Sequence, residues 1–299
     1  MTDELQIEER PVLEHPVLIA AFRGWNDGGQ GASLAGAYLA QAWAAERFAT
    51  IESEGFYDFQ ATRPMVSLVD GETRRIDWPE NTFLHAPMPG GGRDAIILLG
   101  VEPNLRWKTY TQLVLGLTQE LGVDLVVTLG SLLADVPHTR PAPVSAAASE
   151  PSLVEDLGVE PSRYEGPTGI LGVLLDACRQ EAIASVSLWA AVPHYVSVAP
   201  SPRAALALCR RLGELIGTDI DLAELEQAAE EYAEQVTEAV ASDADTAAYV
   251  EELERRVDLM EAAEELPSGE SLAAELTRFL REREENGDDA GESAGGPAS

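Results

Sequence analysis

The chain has 299 residues, 52 acidic against 20 basic, for a net charge of −32, and Lys108 is its only lysine. A surface this acidic repels nucleic-acid backbone and anionic membrane, so neither is expected as a partner. With 45% hydrophobic residues the chain can bury one sizeable core, yet no run reaches the ~20 apolar residues that a membrane span needs.

The start, MTDELQIEER, is acidic and lacks the basic first segment of a secretory signal, so the chain is read as cytoplasmic. Val17–Phe22 predicts a strand buried on both faces. It breaks at Arg23–Gly24 into Trp25-Asn26-Asp27-Gly28-Gly29, and a helix rich in small residues follows, with Gly31, Ala32, Ala35 and Gly36 fit for close packing on a sheet. Parallel α/β sheets place ligands at such strand–turn–helix junctions. Asn26 or Asp27 can cap the helix, and the turn can instead present backbone amides to an anion.

Further strands are expected at Phe48–Ser53, Ala95–Gly100, Leu125–Leu129 and Ser185–Val192, and helices at Leu105–Leu121, Gly169–Ala182 and Pro202–Ile216. Met65–Asp70 and Thr73–Asp77 flank Gly71 as a hairpin, with Thr82–Ala86 a third strand and Pro87–Gly92 a loop. The fold class that follows is α/β, with helices layered on a mostly parallel, mixed sheet.

Three more strand-end turns carry polar side chains. Gly100-Val101-Glu102-Pro103-Asn104 offers Glu102 as a base or as a partner for Arg140, and Asn104 as a helix cap. Leu129 to Pro143 holds Ser131, Asp135, His138 and Arg140 on a segment stiffened by Pro137, Pro141 and Pro143; such a loop can bind a carboxylate or phosphate, or simply pair with backbone carbonyls and Glu150. Pro193-His194-Tyr195 is the last. The candidate ligand site is therefore Asn26, Asp27, Gly28, Gly29, Glu102, Ser131, His138, Arg140 and His194, with a small anion as its candidate ligand.

Catalytic signatures are thin. Leu-Gly-Ser131-Leu-Leu lacks the second glycine of a nucleophile elbow, and the glycines at 28, 29 and 31 do not have phosphate-loop spacing. His15, His85, His138 and His194 are scattered, so no metal or other cofactor is expected. Cys178 and Cys209 lie among apolar residues and read as two buried free thiols, a disulfide or redox pair being the alternative.

From 219 onward the chain carries 25 acidic residues against 5 arginines. Leu222, Leu225, Ala229, Tyr232 and Val236 form a helical stripe, Ser242–Asp245 interrupts it, and Val250, Leu253, Val257 and Met260 resume it. A further helix is expected at Ser271–Glu284 and a disordered tail from Asn286 to Ser299. The expected organisation is a core over 1–218, an acidic helical appendage over 219–285 and a tail over 286–299.

Several of these segments carry a family resemblance: AFRGWNDGGQGAS at 21–33, LLGVEPNLRWKTY at 98–110, TLGSLLADVPHTRPAPV at 128–144 and PSGESLAAELTRFLRE at 267–282 resemble the PAC2 (proteasome assembly chaperone 2) family, in its longer bacterial branch. The resemblance implies a three-layer α/β/α core similar in shape to purine nucleoside phosphorylases, with a small C-terminal helical appendage. In eukaryotic and archaeal relatives it implies chaperoning of proteasome α subunits, often as oligomers. Those chaperones commonly end in a hydrophobic-Tyr-any-residue motif, whereas this chain ends Gly-Gly-Pro-Ala-Ser, so no docking residue transfers. The expectation is a protein-interaction or assembly factor with a protein partner or a homo-oligomeric state. The alternative is a small-molecule enzyme or sensor binding a nucleoside-like or anionic ligand at the strand-end turns.

Overall fold

The computed structural model describes residues 4–150, 152–155 and 160–264, and the closing segment at 267–282 with its expected helix and tail lies outside them. In chain order the strands are β1 (Leu5–Ile7), β2 (Val17–Arg23), β3 (Glu46–Ile51), β4 (Met65–Val69), β5 (Thr73–Asp77), β6 (Asn81–Pro87), β7 (Asp94–Val101), β8 (Leu125–Ala134), β9 (Val144–Ala148), β10 (Glu160–Pro161) and β11 (Ser185–Pro193). The helices are α1 (Gly31–Ala42), α2 (Trp107–Glu120), α3 (Ser152–Glu155), α4 (Ile170–Gln180), α5 (Pro202–Ile216), α6 (Ala223–Ala241) and α7 (Ala244–Glu264). The chain divides into two units, Met1–Ala247 and Ala248–Ser299.

Nine strands of the first unit form one sheet in the order β1-β3-β6-β7-β2-β8-β11-β9-β10. Its centre, β7-β2-β8-β11, is parallel, and antiparallel pairs flank it on both sides. Side chains alternate across a strand, so β2 divides its residues between two cores. Val17, Ile19 and Ala21 pack with Ala35 and Leu39 of α1 and Leu208 and Leu212 of α5, while Leu18, Ala20 and Phe22 pack with Tyr110 of α2 and Leu174 of α4. Helices on both faces make the core a three-layer α/β/α arrangement, and β2, covered on both sides, reads as a continuous apolar run for that reason.

Differences from the sequence reading follow from partners distant along the chain. Strand β8 runs five residues past Leu129, because Trp189 to Pro193 of β11 continue the pairing from Gly130 through Ala134. Ser131 therefore lies within a strand rather than in the loop after one. The short β1 gains its strand character by pairing with β3, and β9 by pairing with β11. The Met65–Asp77 hairpin is a separate two-stranded sheet, and the expected third strand at 82–86 instead joins the large sheet between β3 and β7.

The expected appendage begins with α6, which packs along α5 with Leu225, Ala229, Tyr232 and Val236 buried. The break at Ser242 is made by Asp243, whose carboxylate accepts the Thr246 N–H at 2.8 Å and so caps α7; those contacts hold the carboxyl below its usual pKa. Within the second unit, Val250 and Leu253 are buried, whereas Leu259 and Met260 are 65% and 62% exposed. Among the described residues no helix is long and apolar enough to cross a membrane.

Candidate functional site

The turn after β2 is a closed hydrogen-bond knot. Gly24 takes φ +140°, and a Cβ there would lie 2.9 Å from Glu102 Cβ, so only glycine fits. Glu102, just past β7, faces this turn. Its Oε2 accepts the Trp25 N–H at 3.2 Å, and its Oε1 accepts Asn26 Nδ2 at 2.7 Å and the Ile170 N–H at 2.9 Å. The carboxylate thus joins the ends of two strands and serves as the cap that α4 lacks locally, since the capping position is Gly169 with no side chain. Glu102 does not take Arg140 as its partner, the pairing the sequence allowed.

Asp27 is 7% exposed, and its Oδ1 accepts the N–H groups of Ala32 and Ser33 at 2.9 and 3.1 Å and Ser131 Oγ at 3.3 Å. The expected capping of α1 by Asp27 is therefore present, reaching past Gln30. Ser131 Oγ lies 3.2 Å from the Ala32 N–H, and the Ser131 N–H donates to Asn26 O at 2.9 Å, so the side chain is fixed in a buried structural position. The amides at the start of α1 that an anion would take are occupied by the protein's own carboxylate. Gly28 and Gly29 bring the turn onto its neighbours: a Cβ at Gly28 would meet Leu132 backbone at 3.0 Å, and the Gly29 carbonyl accepts the Ser201 N–H at 2.8 Å. Two buried oxygens of the knot, Asn26 Oδ1 and Asp27 Oδ2, have no hydrogen-bond partner among the described residues.

His138 and Arg140 belong to a second cluster. His138 is 2% exposed, with Nδ1 2.8 Å from Tyr195 Oη and Nε2 3.0 Å from Thr237 Oγ1 of α6. The Tyr195 hydroxyl also accepts the His138 N–H at 2.8 Å. His138 thus joins the β8 loop to the segment after β11 and to α6. Arg203 of α5 donates to Arg140 O at 2.6 Å, and burial lowers its pKa. His194 Nδ1 lies 3.8 Å from Asp135 Oδ1, both side chains well exposed. The cavity beside this cluster, lined by His138, Arg140, Ser201, Arg203 and Tyr232, measures about 10 Å³, space for one water rather than a ligand.

The candidate residues therefore separate into two groups. Asn26, Asp27, Gly28, Gly29, Glu102 and Ser131 form the knot, and His138, Arg140 and His194 gather around Tyr195 and the end of β11. Sequence reading placed Tyr195 in a polar strand-end turn but joined neither it nor Thr237 to His138, since both lie far along the chain. Asn104, expected to cap α2, instead accepts the Asp58 N–H and Thr62 Oγ1, each at 3.0 Å, and holds the loop before the hairpin. A larger groove of 560 Å³ opens between α1 and the sheet, with Leu34, Leu84, Leu99 and Arg23 on its walls. Cys178 and Cys209 are free and buried, and burial pushes their thiols up to about 11 and about 12. Among the described residues no cluster of His, Cys, Asp or Glu is arranged to hold a metal.

Comparison with known proteins adds the following. A family model described as the PAC2 family matches residues 21–240. A solved Mycobacterium tuberculosis proteasome-assembly chaperone homologue is 46% identical with a TM-score of 0.73, covering 78% of this chain and 99% of its own. A PAC2 family protein from Streptomyces avermitilis is also 46% identical, with a TM-score of 0.71 over 79% of this chain and 99% of its own. A second M. tuberculosis protein, of unknown function, is 28% identical and reaches a TM-score of 0.81 over 88% of this chain and 94% of its own. None of the curated proteins matches the chain.

Proposed function

The chain belongs to the PAC2 family, and from that membership we propose that it is a cytoplasmic assembly factor that acts by holding other proteins and catalyses no reaction. The observation that carries this reading is the closed state of the strand-end turns. Asp27 fills the start of α1, Glu102 uses both oxygens on Trp25, Asn26 and Ile170, and the space beside His138 is about 10 Å³. Asp27 Oδ1 and both Glu102 oxygens, engaged within the protein, hold the fold and are not offered to a substrate. A similar protein described as a proteasome-assembly chaperone homologue supports the same direction.

In this reading residues 1–218 are the carrying core and the acidic segment 219–285 meets the partner. The exposed face of α6 displays Glu230, Glu231, Glu234 and Glu238, a surface that suits a basic protein patch and steers its approach. Affinity capture with the tagged full chain, followed by identification of what is retained, tests this. The partner should be lost at high salt and in the variant with these four glutamates changed to glutamine. Retention unaffected by both changes contradicts the assignment of the surface, and failure to retain any protein contradicts the function.

A second reading, a sensor of a small anionic ligand, draws on Asn26 Oδ1 and Asp27 Oδ2, buried without partners, and on the 560 Å³ groove nearby. A saturable thermal shift with phosphate, carboxylates or nucleosides, removed by Asp27→Ala or Arg140→Ala, would establish it.

A further inference from the structure

Helix α1 covers only part of the sheet face on which it packs. Gly36 seats it against β7 and β2, where an added Cβ would lie 2.6 Å from Leu99 Cδ2 and 3.1 Å from Ala21 Cβ. Beside that contact the 560 Å³ groove opens, with Leu34 of α1, Leu84 of β6 and Leu99 of β7 on its walls. Its volume lies within the range of about 300–1,000 Å³ usual for small-molecule sites. The groove reaches Arg23 and Gly100 at the carboxyl ends of β2 and β7, the end of a parallel sheet at which ligands bind.

Two charged side chains line it: Arg23, the last residue of β2, and Glu80, immediately before β6. The register sets them in one row. Arg23 pairs with Val101 of β7, and Asn81 pairs with Gly100, so Glu80 lies level with Val101 on its other side. Two strand spacings put the Cα atoms of Arg23 and Glu80 about 10 Å apart. They do not pair with each other, and among the described residues neither side chain has a hydrogen-bond or ion-pair partner.

One guanidinium, one carboxylate and apolar walls complement a molecule that carries both charges on an apolar body. A simple anion satisfies Arg23 and is repelled by Glu80, and a simple cation does the reverse. A zwitterion satisfies both. Ser33 and Thr82, which also line the groove, supply neutral hydroxyls for a peptide link. We infer that the groove between α1 and strands β6 and β7 binds a short apolar peptide with free termini, its carboxylate on Arg23 and its ammonium on Glu80. An extended dipeptide separates its terminal charges by about 5 to 6 Å, a span that side chains rising from Cα atoms about 10 Å apart can bracket. Arginine holds a carboxylate through two parallel hydrogen bonds, which sets the direction in which the peptide lies. The inference goes beyond both readings above, since it needs neither a protein partner nor the turn after β2.

Equilibrium dialysis of the purified full chain against labelled L-leucyl-L-leucine, up to about 1 mM peptide, tests it. Saturable binding at one site is expected. Capping either end removes one charge, so N-acetyl-leucyl-leucine and leucyl-leucine amide should each bind at least about tenfold more weakly. Arg23→Gln and Glu80→Gln should each weaken binding of the uncapped peptide by a similar factor, and the Glu80→Gln chain should bind the free and acetylated peptides alike. Ala37→Trp puts a large ring into the groove from an exposed position of α1 and should abolish binding. All three substituted residues are exposed, and unchanged melting temperatures establish that the variants fold. Absence of saturable binding overturns the inference, as does binding that survives Arg23→Gln or Ala37→Trp. Acetate or phosphate binding as tightly as the dipeptide would put a simple anion on Arg23 and overturn it too. Failure of protein capture with peptide binding intact would instead count against the assembly function alone.

Discussion

The turn after β2 and the hairpin between β3 and β6 are opposite solutions to the same problem of where to put side chains. In the turn, polar groups are drawn inside and bonded to one another, so Asn26 and Asp27 are 0% and 7% exposed despite carrying an amide and a carboxylate. In the hairpin, large apolar groups are left outside, with Met65 69% exposed on one face and Leu68 59% exposed on the other. The first arrangement gives rigidity and offers little to a ligand. The second gives up local stability and offers a surface. Polar residues at a strand end, the usual marker of an active site, here mark the place where the fold is fastened.

That contrast can be broken at the fastening points. The largest effect should come from ending the chain after Gly217. This removes α6 with its buried Leu225, Tyr232 and Val236, and leaves His138 without Thr237. Burial of those three side chains is worth about 5 to 9 kcal/mol, comparable to the whole stability of a domain. The expected result is an insoluble or unfolded product; a soluble fragment with a cooperative melt would show that α6 is a true appendage.

Glu102→Ala should come next, at about 2 to 3 kcal/mol, because Trp25 N–H, Ile170 N–H and Asn26 Nδ2 all lose their acceptor. Asp27→Ala should cost a similar amount through the loss of the α1 cap. Equilibrium denaturation measures both. Substitution on the hairpin should behave differently: Ile76→Thr is expected to change stability by less than about 0.5 kcal/mol, as exposed positions do. If it costs as much as Glu102→Ala, the ribbon is part of the fold and the contrast fails.

The smallest effect concerns the thiols. Cys178 and Cys209 keep their protons in the folded chain up to about pH 11 and about pH 12, because burial disfavours the thiolate. In the unfolded chain thiols ionise near 8.5, so the folded state holds more protons above that pH. Their contribution is complete below pH 8.5 and is lost as pH rises toward those values, adding to alkaline destabilisation. Correspondingly, iodoacetamide should label neither cysteine until the chain unfolds; labelling of the native protein would show that the sheet faces open.

Much of this architecture was legible in the sequence. The run Val17–Phe22, apolar at every position, could only be a strand covered on both faces, and Pro202 to Ile216 carried both its cap at Ser201 and its stop at Gly217. The small residues after the turn likewise announced a helix packed close to the sheet. What local pattern did not contain was pairing. Leu5–Ile7 and Val144–Ala148 are strands only because β3 and β11 lie beside them. The candidate site was legible as residues but not as roles: Glu102 was identified, while its true partners are 76 and 68 positions away at Asn26 and Ile170. The hairpin was recognised from its turn, yet Met65-Val66-Ser67-Leu68-Val69 is apolar on both faces and reads as buried. Only the surrounding structure reveals that, among the described residues, its apolar side chains stay exposed.

Amide hydrogen exchange of the full chain, compared with and without phosphate, carboxylates or nucleosides, addresses the two regions in one measurement. The account predicts that 24–31 is equally protected in both conditions, while the exposed hairpin at 65–77 exchanges faster. Protection at the turn that appears only when one of these compounds is added would contradict it.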